Sequence, residues 1–254
     1  MEPVRKPFQG IYNIIRFNWH FSVLSFVFLL ALCIINRFLI APYLYVSYII
    51  MFGSAAVIII SLSVSYYVYD RSGFYQLDWL DELQLSPTGT MININAGFDE
   101  MSAMLKYKYP EASLIVYDFY DPLKHTEISI KRARKAYPPF PGTRHIDPSS
   151  IPLENNCANN IFLILSAHEI RTANARTDFF QELSRILKPG GKIVMVEHLR
   201  DTFNLLAYNI GFFHFIPKSL WEKAFEKAGL TVSTEKKLTP FITCFALEKN
   251  GIEP

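Results

Sequence analysis

Four histidines and two glutamates have side chains suited to moving protons: His168 beside Glu169, His198 after Glu197, His214 in "GFFHF", and His125. An imidazole titrates near neutrality, so it can take the proton from an attacking hydroxyl or amine while a carboxylate orients the ring. His168 with Glu169 is the first candidate for that catalytic role and His198 the second. Two histidines and two glutamates could also hold a metal ion, but no short ligand spacing supports one, and no metal is expected. Any of these side chains could equally serve only to tie strand ends to loops. A further group suggests a nucleotide. "TMININAGFDEMS" reads as a strand, a glycine turn and a helix, yet Gly97 stands alone where such turns place two or three glycines. Asp118 follows about 20 residues later, near the spacing at which an acid accepts hydrogen bonds from ribose hydroxyls. Asp147 in "HIDPSSIPL" and the "SAHEIR" stretch come at the next two strand ends.

These residues can meet only if strands end side by side. From Met91 onward, short β-rich runs alternate with helix-length polar segments, the pattern of a parallel sheet with crossover helices. Strands are expected at "MININ", "SLIVYDF", "TRHID", "NIFLILSA", "KIVMVEHL", "TVSTEKKL" and "FITCFALEK". Helices are expected at 99–109, 128–136, 177–187 and 218–227. The last two strands have no helix between them and should pair antiparallel at an edge. The fold class is therefore α/β, a doubly wound, mostly parallel seven-stranded sheet. "FYQLDWLDELQLSP" is expected to be its first helix, packed on the sheet.

Residues 1–70 have a different composition. Trp19 to Ile35 is almost wholly apolar, and Leu44 to Val68 carries no charge. A helix crosses the roughly 30 Å hydrocarbon layer in about 20 residues, so the sequence predicts a transmembrane hairpin over about 19–40 and 44–68, ahead of a catalytic domain over 71–254. Pro42 marks the turn and tyrosines cluster at the ends. Arg5, Lys6 and Arg16 place the N-terminus, and hence the catalytic domain, in the cytoplasm. The alternatives are a signal peptide, disfavoured by the missing cleavage site and the second apolar run, and a buried helical hairpin. Gly53, Ser54, Ala55 and Ala56 could pack the hairpin on itself or on another copy in a homo-oligomer. Over all 254 residues the hydrophobic fraction is 50% and the net charge +2, with no basic footprint for nucleic acid. Three widely spaced cysteines form no zinc pattern.

The most specific stretch is "FFQELSRILKPGGKIVMVEHL". Phe179, Phe180, Leu183 and Leu187 share one helix face, Pro189 stops the helix, and Gly190-Gly191 turns into a buried strand. With Asp118 and "DPSSIPL", it resembles the class I S-adenosylmethionine-dependent methyltransferases, close to the branch that methylates quinones and other small lipophilic molecules. The resemblance covers roughly 91–249. It implies S-adenosylmethionine as cofactor, with its methionine part against Asn95, Ala96, Gly97 and Phe98. It implies ribose at Asp118 beside Phe119, adenine at Asp147 and Pro148, and the transferable methyl near Ser166 to Glu169. Asn93, Asn95 and Asp99 depart from the family's acid and glycines. Asp99 or Glu100 is expected to supply the missing charge. Tyr208, Phe213 and His214 in "LAYNIGFFHFIPKSLW" are expected to line the substrate or to pack on the sheet or membrane. The basic run of Lys131, Arg132, Arg134 and Lys135 reads as a solvated helix face. The expected function is a membrane-anchored methyltransferase acting by in-line transfer on a quinone, polyene, isoprenoid or similar molecule. A non-catalytic binding or assembly module, and a phospholipid headgroup or protein methyltransferase, are the alternatives.

Overall fold

The computed structural model describes residues 5–125 and 127–251. Three helices come first, α1 (Gln9–Phe17), α2 (Trp19–Ile35) and α3 (Ala41–Tyr66), the last running on through a π-helical turn at Tyr67–Arg71. Beyond them lie β1 (Gly89–Asn95), α4 (Ser102–Lys108), β2 (Ala112–Asp118), α5 (Ile128–Ala136), β3 (Arg144–His145) and β4 (Ala158–Ile164). The chain ends with α6 (Ala173–Ile186), β5 (Leu187–Glu197), α7 (Thr202–Tyr208), α8 (Lys218–Lys227), β6 (Leu230–Thr239) and β7 (Ile242–Lys249).

The sheet has seven strands in the order β3-β2-β1-β4-β5-β7-β6, parallel except for β7, which runs antiparallel to both neighbours. Strands buried on both faces need continuous apolar runs, which "IFLI" and "IVMV" supply. One core lies under α6 and α8, around Phe179, Phe180, Trp221 and Phe225. The other lies under Phe74, Leu77, Leu80, Leu83, Met104 and Leu105. All seven expected strands form, within a few residues at most ends. Strand order reverses between β1 and β4, which opens a crevice at their carboxyl ends.

Helix α6 begins earlier than the sequence pattern suggested, because the Thr172 side chain caps it by accepting from the Ala175 N–H at 3.3 Å. The segment from Phe74 to Leu83 packs on the sheet as expected, but as 3-10 turns at Phe74–Gln76 and Asp78–Leu83 rather than as an α-helix. Its apolar residues recur every third position, the repeat of a 3-10 helix, and Leu77 breaks the run with φ 61°.

The N-terminal segment corrects an expectation. Among the described residues one helical run, Ala41–Gln76, is long and apolar enough to cross a membrane. The first apolar run ends at Ile35 with 17 residues, roughly 25 Å of helix, short of the hydrocarbon layer. Residues 36–38 form a hydrogen-bonded turn rather than a further turn of α-helix, Arg37 and Phe38 donating to the Ile34 and Ile35 carbonyls, and α1 and α2 meet at a 75° bend. The expected multi-pass, two-helix membrane protein with a cytoplasmic catalytic domain is therefore not what the chain forms. Nor is α1 a detached leader. The Gly10 and Ile11 N–H groups donate to the Asp70 carboxylate at 2.7 and 2.8 Å, which holds α1 across the carboxyl edge of the sheet.

Candidate active site

A cavity of about 290 Å3 opens at the β1/β4 crevice. Its floor is the β1 turn and the ends of β4 and β5, and α1 and α5 close it from above. Asn13 and Phe17 come from α1, and Ser129, Ile130 and Ala133 from α5. Tyr69, one of the tyrosines clustered at the end of the second apolar run, reaches in from the π-helical turn.

The β1 turn shows how one glycine suffices. Gly97 has φ +99°, and a Cβ there would stand 2.9 Å from both Arg134 Nη1 and the Tyr120 ring. Asn95 uses its side chain to hold the turn, accepting from the Gly97 N–H at 3.0 Å and donating to the Tyr117 carbonyl at 3.1 Å. Asn93 donates to Ser102 Oγ at 2.8 Å. Asp99 Oδ1 accepts from the Met101 and Ser102 N–H groups, both at 2.9 Å, while its buried Oδ2 has no partner among the described residues. Glu100 accepts from the Tyr75 hydroxyl at 2.7 Å and from Arg5 at 2.8 Å. Two carboxylates thus line the cavity where the sequence lacks the usual acid at Asn93.

The next strand end is closed. Asp118 Oδ1 accepts from the Tyr120 N–H at 2.8 Å, and Oδ2 is ion-paired with Arg134 of α5. Arg134 also lies over the Tyr120 ring, 4.4 Å from its centroid, and donates to the Gly97 carbonyl at 3.3 Å. Only a 50 Å3 recess remains between Asp118, Gly97 and Arg134. Phe119 is buried against Phe179. Asp147 is exposed; the Ser149 N–H and hydroxyl donate to it at 2.9 and 2.7 Å and hold its carboxyl below the usual range. Neither it nor Pro148 lines the main cavity. Buried Ser166 donates to the Ile94 carbonyl at 2.8 Å and ties β4 to β1.

The histidines fall into two chemical states. Burial works against charge on His168, yet Glu197 Oε2 at 2.7 Å from Nδ1 and Glu169 Oε1 at 3.4 Å from Nε2 push it up to about 10. It is an imidazolium at neutral pH in this arrangement, and so cannot take a proton there. Burial likewise opposes ionisation of Glu169, but His168 and His214 hold its carboxyl well below the usual range. Burial also opposes charge on His214, which Glu127 and Glu169 raise. His198 is the opposite case. Burial pushes it down to about 4, so its ring is neutral. The Asn204 amide nitrogen donates to the Leu199 and Phe241 carbonyls at 2.9 and 3.0 Å, which turns Oδ1 toward His198 Nδ1 at 3.2 Å and places the proton on Nδ1. Nε2 is therefore unprotonated, and its lone pair accepts from the Tyr69 hydroxyl at 2.8 Å. His125 lies apart, taking the Asp121 N–H at 2.9 Å.

Tyr208 lines the cavity beside His198, whereas Phe213 is 66% exposed and does not. Sequence reasoning missed Asn13, Tyr69, Glu127, Arg134 and Asn204 as site residues. Arg134 was hidden in a basic run, and Asn204 gives no sequence signal at all.

Residues 96–195 match the model of a methyltransferase domain. The chain carries the domain of an S-adenosylmethionine-dependent methyltransferase, and S-adenosylmethionine is its cofactor. Solved structures agree in fold. A methyltransferase from Methanosarcina mazei aligns with TM-score 0.51 at 13% identity over 67% of this chain and 97% of that one. Another from Aquifex aeolicus gives 0.50 at 16% over 71% and 94%. Geranyl diphosphate C-methyltransferase from Streptomyces coelicolor A3(2), solved with Mg2+, geranyl diphosphate and S-adenosyl-L-homocysteine, gives 0.50 at 13% over 75% and 82%. No curated protein matches by sequence.

The methyltransferase fits its cofactor in two unequal halves. The unpartnered Asp99 Oδ2 suits the cationic amine of the methionine part, whereas both Glu100 oxygens are already engaged by Arg5 and Tyr75. Asp118, the acid expected to meet the ribose, has both oxygens engaged within the chain, so it becomes available only when Arg134 withdraws.

Proposed function

We propose that this methyltransferase acts on a small lipophilic molecule, a quinone, polyene, isoprenoid or similar acceptor, by in-line transfer of the methyl group. The observation that carries this reading is the wall of the cavity. Ile14, Phe17, Ile164, Leu165 and Phe215 make most of it apolar, and its inner end is the lone pair of neutral His198. An apolar acceptor excludes water there, and a single well-placed base can strip its one acidic proton. When bound, S-adenosylmethionine supplies the activated methyl group. Asp99 Oδ2 holds its amine, with the Glu100 carboxylate adding negative charge nearby, and Asp118, freed of Arg134, holds its ribose. His198 takes the acceptor proton at Nε2 in place of the Tyr69 hydroxyl, while Asn204 keeps the tautomer fixed. The positive charge around His168 faces the atom on which negative charge develops.

Calorimetric titration with S-adenosylmethionine and S-adenosylhomocysteine tests the enzyme reading, and no binding at millimolar ligand would sink it. Mass spectrometry of lipid extracts from cells with and without the protein tests the acceptor. A one-methyl shift in a quinone or isoprenoid pool is expected; a change confined to phospholipids points to headgroup methylation instead.

A further inference from the structure

At the end of β4, three side chains from two distant parts of the chain aim at one point. His168 Nε2, His214 Nε2 and Glu169 Oε1 lie within 4.8 Å of one another. The carboxylate oxygen is 3.4 Å from the first nitrogen and 3.5 Å from the second. Ligands about 2.1 Å from a tetrahedral zinc ion stand roughly 3.4 Å apart, so these two edges have the length such a site requires.

Each imidazole is also held from behind. His168 Nδ1 meets Glu197 Oε2 at 2.7 Å, and His214 Nδ1 meets Glu127 Oε1 at 3.0 Å. A carboxylate on the far nitrogen fixes the ring and raises the basicity of the near one, the arrangement that supports metal-bound histidines. The charges match as well. Three carboxylates, Glu127, Glu169 and Glu197, surround the point, and Arg171 is the one guanidinium among them. With both imidazoles deprotonated, as metal ligation requires, that leaves an excess of two negative charges for a divalent ion to neutralise, so binding releases protons.

We propose that His168, Glu169 and His214 bind one divalent first-row transition-metal ion, with its open positions facing the cavity. Two imidazoles and one carboxylate favour ions of the zinc, iron or cobalt kind over magnesium or calcium. If the proposed acceptor reading holds, on which this last step rests, the ion grips an acceptor oxygen beside the transferable methyl and stabilises charge developing there. The sequence expectation of no metal arose because the ligands come from the β4 end and from the 3-10 turn at Asn209–His214, with no short spacing between them. Arg171 is the competitor. Its Nη2 lies 2.7 Å from His214 Nε2 and 3.3 Å from Glu169 Oε2, so an entering ion moves the guanidinium outward.

The test uses the full chain, stripped of metal, equilibrated with Zn2+ and freed of excess. Elemental analysis should find one ion per chain, and Co2+ substitution should give the visible absorption of a low-coordinate nitrogen and oxygen site. His214→Ala should lose the ion. Glu127→Gln, at the exposed rim where folding is not at stake, should weaken binding about ten- to hundredfold. Arg171→Gln should tighten it. A folded wild-type chain that retains no ion, or one whose affinity is unmoved by both Glu127→Gln and His214→Ala, overturns the site. Calorimetry with S-adenosylmethionine reads separately. Cofactor binding without metal binding removes this inference and leaves the methyltransferase reading, and the reverse result does the opposite.

Discussion

The two halves of the carboxyl edge solve the same electrostatic problem in opposite ways. On the β1/β2 side, Asp118, proposed to meet the ribose, is paired within the chain by Arg134 and the Tyr120 N–H, and the space before it shrinks to 50 Å3. On the β4/β5 side, buried Glu169 and Glu197 are matched by two histidines, of which His168 lines the open cavity and His214 is shared with Arg171 at the rim. A satisfied carboxylate gives up nothing until its partner leaves. The second cluster is already assembled from buried side chains, and Arg171 at its rim is the group that shares the converging atoms. The Asp118 half is thus gated by Arg134 of α5, and the His168 half is organised around buried side chains with Arg171 at its rim.

The largest effect should come from breaking the organised half. Glu197 is 0% exposed and is the closest partner of His168. Removing one member of a buried ion pair strands the other, at a cost on the order of 3 kcal/mol. Glu197→Gln should lower stability by about that much in denaturant titration. A loss below about 0.5 kcal/mol, the range of ordinary surface substitutions, would mean the cluster is not the tightly coupled unit described.

Next in size is the loss of the base. His198→Gln keeps a hydrogen-bond partner for Tyr69 but has no titratable nitrogen. Turnover should fall about 100-fold or more, with S-adenosylmethionine affinity nearly unchanged. If affinity falls and turnover of the bound enzyme does not, His198 is a structural tie between α3 and β5 rather than the proton acceptor.

The gated half responds in the other direction. Arg134→Ala releases Asp118, so S-adenosylmethionine should bind more tightly, by roughly tenfold if about 1.4 kcal/mol of the pairing is recovered. The Arg134 side chain is 37% exposed, and solvent screening keeps the gain from being larger. Asp118→Ala should abolish cofactor binding. Weaker binding in Arg134→Ala would show that the guanidinium belongs to the cofactor site instead of blocking it.

That contrast also marks what the sequence could say. Sheet and strand ends are legible because periodic apolar runs and "LKPGG" depend on local pattern, and Asn95, Asp118, His168 and His198 all fall at or just after strand ends as expected. Arg134 was hidden because a basic run on an amphipathic helix normally faces water, and nothing local says that α5 lies over the β1 turn. Glu127 and His214 were not joined to His168 because a contact across three separate segments leaves no spacing to read. The first apolar run was over-extended for a related reason. Composition measures how apolar a segment is, whereas the turn at residues 36–38 decides how long its helix becomes.

The smallest effect is the pH response, where the two histidines beside β5 pull in opposite directions. His198 is depressed from 6.5 to about 4 by burial, so the unfolded chain binds its proton more readily. Stability from this group is complete above pH 6.5 and drains away as pH falls toward 4. His168, despite its burial, is raised to about 10 by Glu197 and Glu169, so its contribution is complete below pH 6.5 and drains away as pH rises toward 10. His198→Gln should therefore flatten only the acid limb of the stability profile, moving its midpoint lower by a few tenths of a pH unit. Because acid also protonates the carboxylates near His168, the shift is modest, and its sign is the test. An acid midpoint that rises, or an alkaline limb that changes instead, would mean that His198 carries charge in the folded enzyme and that the base lies elsewhere in the cavity.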